Sequence, residues 1–198
     1  AGLLLNGGTD LSADSNRAFS TAIDGAARSV LWSIGADEKN TLYRSIGTNT
    51  NNLNTASATV TISGATATFS ADPSNGTNNI GVGDVLEYPA SSPTAVAFIT
   101  GRVNSTTYYV QSQSGAAPTA AGAGTAVNIY RCYNSLNAWN ANTLGNENAS
   151  INAAVDDYIP YSTTNLTTNN NIYMVSCYAD GEDSVVVSIS GWTTGADN

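Results

Sequence analysis

The stretch Thr59-Val60-Thr61-Ile62-Ser63-Gly64-Ala65-Thr66-Ala67-Thr68-Phe69-Ser70 decides the fold class. Val60 and Ile62 alternate with polar residues, Gly64 interrupts the run, and Ala67 and Phe69 resume it. Alternation with period two places every second side chain on one face of a strand, and a glycine between two such runs marks a hairpin. The pattern predicts two paired strands with Val60, Ile62, Ala67 and Phe69 facing inward.

Working outward, Asp72-Pro73-Ser74-Asn75-Gly76 supplies a turn. Further strand-like runs follow at 84–88, 95–100, 107–112 and 126–131, and the Gly/Ala-rich run 115–124 reads as a flexible loop or hairpin tip. Six short strands divided by Gly, Pro and Asn turns predict a small β-sandwich or barrel module over residues 55–131. The fold class expected for the chain is mainly β, that module plus flanking strands with one or two short helices.

Two flanks differ from the module. Residues 1–54 read as an N-terminal segment. Ser12-Ala13-Asp14 resembles a helix start, and Phe19, Ile23, Ala26, Ala27 and Val30 follow at helical spacing, predicting a helix at 13–28. Strands at 29–34 and 41–46 and an Asn/Thr-rich linker at 47–54 complete it. The apolar Leu3-Leu4-Leu5 is a candidate inter-subunit strand. Residues 132–198 read as a C-terminal β region with a short helical cap at 135–141, Leu136 and Trp139 turned inward. Strands are expected at 171–178 and 184–190, the second apolar enough to be buried on both faces.

Charged residues make up 11% of the 198-residue chain, against roughly 25% in an average globular protein. Solvation therefore falls to Asn, Thr, Ser and Gly, the chemistry of extracellular β-proteins and fibres. The net charge is −9, Lys39 is the only lysine, and Arg17, Arg28, Arg44, Arg102 and Arg131 are scattered. Nucleic-acid binding needs clustered cations and is excluded; no apolar run is long enough for membrane insertion. A chain that opens on Ala1 without a basic leader reads as a mature secreted product, or as one trimmed at that point.

The chain has no histidine. Ser-His-Asp and Cys-His triads, His-ligated metals and imidazole acid–base chemistry are therefore excluded. Lys39 sits in a charged turn, and Gly81-Val82-Gly83-Asp84 lacks the lysine of a phosphate loop. Paired-carboxylate chemistry survives this test. The acidic groups are Asp156-Asp157 and the cluster Asp180, Glu182 and Asp183, whose ordinary reading is solvated turns. Grouped oxygens make the second cluster the calcium candidate, outside the EF-hand pattern. No other cofactor is expected.

Cys132 and Cys177 lie 177 − 132 = 45 positions apart. In a secreted chain they are expected to form a disulfide worth roughly 3–4 kcal/mol, with two buried thiols as the competing reading. Trp139, Trp192 and Tyr108 are candidate glycan-stacking residues, or else core residues. Sequons at Asn75, Asn104, Asn148 and Asn165 permit glycosylation.

The runs Gly81-Val82-Gly83-Asp84-Val85-Leu86-Glu87-Tyr88, Ala97-Phe98-Ile99, Asn128-Ile129-Tyr130-Arg131 and Ser188-Ile189-Ser190-Gly191-Trp192-Thr193-Thr194 carry a resemblance. Over residues 55–198 the chain resembles a β-rich module that precedes right-handed parallel β-helices in large secreted bacterial surface proteins. The resemblance implies that the helical turn near Leu136 caps a β-helix and that the last strands begin its first coils. It transfers no active-site residue.

The function these features lead us to expect is a non-catalytic, extracellular or cell-surface structural subunit. Its partners would be other copies of itself, in a filament, pilus-like fibre or surface layer. The alternative is a carbohydrate-binding or adhesin module of a secreted protein. A carboxylate-based carbohydrate-active enzyme is the third reading.

Overall fold

The computed structural model of the protein describes residues 40–89, 94–161, 163–168 and 171–195. The chain divides into two compact units, Ala1–Asn40 and Thr41–Asn198. The helix expected at 13–28, the strand at 29–34 and Leu3, Leu4 and Leu5 lie outside the described residues.

The protein is mainly β. A seven-stranded antiparallel sheet is built from β2 (Val60–Ser63), β3 (Thr66–Phe69), β4 (Val85–Tyr88), β5 (Ala95–Arg102), β6 (Thr107–Gln111), β7 (Ala121–Thr125) and β8 (Asn128–Tyr130). The order is β7-β2-β3-β6-β5-β4-β8. A separate pair joins β1 (Asn40–Ile46) to β9 (Asn171–Cys177). Helix α1 (Leu136–Ala141) and a 3-10 turn (Asp156–Tyr158) lie between β8 and β9. Among the described residues no helix is long and apolar enough to cross a membrane.

The strand order dictates the shape of the sheet. Its outer strands, β7 and β8, are consecutive in the chain, with only Ala126 and Val127 between them. Six interstrand gaps of about 4.8 Å would hold the edges of a flat sheet about 29 Å apart. Three Cα steps reach at most about 11 Å. The sheet therefore curls until its edges approach, forming a half-barrel.

The barrel interior is the face that alternation predicts. Val60 pairs across from Phe69 and Ile62 across from Ala67. All four are buried with Leu86, Tyr88, Ala97, Ile99, Tyr108, Val110 and Ile129. The opposite face of β4, β5 and β8 is buried as well. Val85, Val96, Phe98 and Tyr130 meet Tyr133, Ala138, Ile151, Val155 and Ile159 from the C-terminal region. That explains why β4 is buried at every position.

Arg44 staples β1 to this layer. Its Nε donates to the Ile159 carbonyl at 2.7 Å and its Nη2 to that of Tyr158 at 3.1 Å. Its guanidinium lies 3.6 Å from the Phe98 ring centroid. The buried charge is thus solvated by carbonyl dipoles and an aromatic face rather than by water.

Three expectations are corrected. Residues 47–54 are not a bare linker: Leu53 is 1% exposed and its N–H donates to Ile129 O. Asn54 Nδ2 donates to the carbonyls of Ala58 and Val127, closing the barrel at its seam. The run 115–124 is not simply a loop, because Ala121–Thr125 pairs with β2 as edge strand β7. Small side chains hid its strand character. Residues 184–190 form no strand, and among the described residues no neighbour pairs with them.

Candidate functional site

The surface that stands out is the segment after β9, and its position is set by a buried arginine. Arg131, directly after β8, donates from Nη1 to Asp84 Oδ2 at 2.6 Å. It also donates from Nε to Asp180 Oδ2 at 2.7 Å and from Nη2 to Asp180 Oδ1 at 3.0 Å. A further bond reaches the Asn79 carbonyl, and the guanidinium lies 3.6 Å from the Tyr178 ring centroid. The side chains of Arg131 and Asp84 are fully buried, and that of Asp180 is 12% exposed. The fork geometry of the guanidinium matches two oxygens of one carboxylate, which a lysine would not.

Gly47 makes this approach possible, since any Cβ there would collide with the Asp180 carboxylate. Burial raises the Asp84 pKa to about 6, and the Arg131 charge opposes that rise without cancelling it. Asp84 Oδ1 accepts no hydrogen bond of good geometry among the described residues, so burial weighs more heavily on the ionised form than it would on a fully bonded carboxylate. Burial lowers the Arg131 pKa, but the bonds and charges of Asp180 and Asp84 outweigh it and raise the pKa, keeping the cation charged.

Beyond the clamp, the chain meets α1. Ser135 caps the helix by accepting from Ala138 N–H, and the left-handed Asn142 ends it. Asp183 Oδ2 accepts the Leu136 N–H at 2.8 Å, while its Oδ1 accepts from Val185 N–H. Asn140 then bonds residues 188 and 190 together: its Nδ2 donates to Ser188 O at 3.1 Å, and its Oδ1 accepts from Ser190 N–H at 3.3 Å. Thr193 finally forms a parallel bridge with Asn165.

Between these anchors the chain runs from 182 to 190 without turn or bend. Val185, Val186 and Ile189 are 52%, 93% and 61% exposed. The main chain of Val186, Val187 and Ile189 makes no hydrogen bond among the described residues. A run of β-branched residues with unpaired backbone is what a sheet edge presents to a partner.

Helix α1 also contributes to an aromatic stack. Trp139 and Trp192 stack at 5.3 Å and 9° between planes. Tyr173 stacks on both Trp139 and Trp192, and Tyr161 stacks on Tyr173. Their mutual contact ties α1, β9 and the end of the described chain together. Trp139 Nε1, Trp192 Nε1, Tyr173 OH and Tyr133 OH are buried and make no hydrogen bond of good geometry among the described residues.

The residues singled out from sequence fall as follows. Asp180 is engaged by Arg131, Asp183 caps α1, and Glu182 is exposed. Among the described residues no three His, Cys, Asp or Glu side chains form a group able to hold a metal ion. Trp139 and Trp192 turn faces to each other, and Tyr108 is 0% exposed with its ring edge-on to Phe69. The expected disulfide is not formed. Cys132 is buried, its Sγ directed at the Gly83 carbonyl, and burial lifts its pKa to about 11; Cys177 is exposed at the end of β9. Sequence reading missed the Arg131 clamp altogether, because isolated arginines carry no pattern.

No protein-family profile, curated protein or solved structure matches the chain.

Proposed function

We propose that the chain is a non-catalytic extracellular structural subunit that self-assembles into a filament, pilus-like fibre or surface layer. The observation that carries this reading is the anchored run Val185-Val186-Val187-Ser188-Ile189, in which Val185, Val186 and Ile189 are exposed and the main chain of Val186, Val187 and Ile189 makes no hydrogen bond among the described residues. No charge or proline lies within it, although Glu182 and Asp183 precede it, and such residues are the devices by which proteins blunt sheet edges. The bridge Asn165↔Thr193 joins positions 193 − 165 = 28 apart in parallel, the contact that stacked solenoid coils make. A coil at the end of a stack leaves one face to be covered, and a second copy supplies a matching surface. The extracellular setting rests on composition alone: low charge and Asn/Thr-rich solvation.

Negative-stain electron microscopy of the purified chain, with and without reducing agent, tests the proposal. Ordered fibres or sheets are expected in both, since assembly does not depend on a disulfide. Monodisperse single particles across a concentration series would overturn it. The carbohydrate-binding reading has less support, because the faces of Trp139 and Trp192 are taken up by each other and Tyr108 lies in the barrel core.

A further inference from the structure

We infer that two copies of this chain pair through residues 184–190 as antiparallel strands about a twofold axis at Val187. This names one contact surface of the assembly reading above and rests on that reading; a twofold contact closes as a dimer, so a fibre or layer uses a second contact as well.

The first argument is the direction of the free backbone groups. In an extended strand, the N–H and C=O of alternate residues point to opposite sides. Asn140 occupies the side of Ser188 and Ser190. Val187 and Ile189 therefore point their backbone groups the other way, where no partner is present among the described residues. Odd-numbered residues face an incoming strand: Val187 and Ile189 meet it with free groups, and the Val185 N–H exchanges its bond to Asp183 Oδ1 for a carbonyl of the second copy.

The second argument is the order of side chains. Ser184-Val185-Val186-Val187-Ser188-Ile189-Ser190 is nearly the same read in either direction. Antiparallel pairing centred on Val187 sets Val187 opposite Val187, Val185 opposite Ile189 and Ser184 opposite Ser190. The odd face becomes an unbroken β-branched stripe, the cross-strand pairing that stabilises sheets best. Moving the register by two positions either way puts Asp183 opposite Ile189 or Gly191 opposite Val185. A segment that complements itself in one register calls for a second copy rather than a foreign strand.

Anchoring is the third argument. A lone two-stranded ribbon is marginal in water. Here each strand is already held by the Asp183 cap, by Asn140 and by the Thr193 bridge, so its ordering cost is met before the partner arrives.

The test uses two double variants at exposed positions of the full chain, followed by sedimentation velocity. Val185→Lys with Ile189→Lys places like charges directly opposite at both pairs. Val185→Glu with Ile189→Lys places opposite charges there. The wild type and the Glu/Lys variant are expected to dimerise or assemble further, and the Lys/Lys variant to lose that association. Circular dichroism identical to wild type is expected for both, since both side chains are solvent-facing. A monomeric wild type overturns the inference, as does an associating Lys/Lys variant or a monomeric Glu/Lys variant. Dimers without fibres in the microscope would sink the filament reading and leave this pairing standing.

Discussion

Replacing Arg131 with methionine should destabilise the protein by an amount that depends on pH in a particular way. Arg131→Met keeps much of the side-chain volume and removes the charge. It leaves Asp84 buried without a cation. A buried, unpaired carboxylate takes up a proton rather than remain charged. At pH 7.5 that protonation costs about 5 kcal/mol relative to the unfolded chain, taking 1.36 kcal/mol per pH unit from the ordinary value of 3.8. With Arg131 present the ionised carboxylate is held at a pKa of about 6, a cost of about 3 kcal/mol. The Asp84 part of the penalty is therefore about 2 kcal/mol at pH 7.5. At pH 5 both proteins hold the proton and this part vanishes. The lost bonds to Asp180 and Asn79 add about 1–3 kcal/mol at both pH values. The sign in the wild type follows from the same numbers. Its raised carboxyl binds a proton that the unfolded chain does not, so this group adds stability as the pH falls from about 6 toward 3.8. Urea unfolding of both proteins at the two pH values, read by tryptophan fluorescence, measures the difference. A penalty equal at both pH values, or larger at pH 5, would refute the reasoning.

Three further outcomes are expected. Trp139→Ala removes the ring that carries α1 into the aromatic stack and should cost about 2 kcal/mol by urea unfolding, since a half-buried indole in contact with Tyr173 and Trp192 is lost. Gly83→Ala should cost at least about 2 kcal/mol, because Gly83 has φ +89 and a Cβ there collides with the Arg44 carbonyl; an unchanged midpoint would contradict that geometry. Alkylation followed by intact-mass measurement should modify Cys177 in the native protein and Cys132 only after unfolding; an intramolecular disulfide in the unreduced protein would overturn the assignment of two free thiols.

The barrel was legible in the sequence because its strands obey one local rule, alternation, and Val60, Ile62, Ala67 and Phe69 carry it openly. Strand β7 was not, because Ala121-Gly122-Ala123-Gly124 has no side chains large enough to write a period. Residues 184–190 show the opposite failure. Their propensity for a strand is strong, but a strand needs a neighbour, and pairing is decided by the rest of the fold. The clamp was invisible for a third reason: Asp84, Arg131 and Asp180 are 131 − 84 = 47 and 180 − 131 = 49 positions apart, and no local signal links them.

The short hop from β7 to β8 also has a consequence for how the chain folds as it is made. The first strand of the barrel, β2, finds one of its two neighbours only when residues 121–125 have appeared, and β4 waits as long for β8. Until then the nascent sheet is open on both sides, and closure depends on contacts between residues some sixty positions apart, which form slowly. One event, the emergence of the Ala126-Val127 link with the strands on either side, supplies both missing neighbours together. Synthesis therefore reaches a point before which the barrel is vulnerable to pairing with other chains and after which its seam is shut.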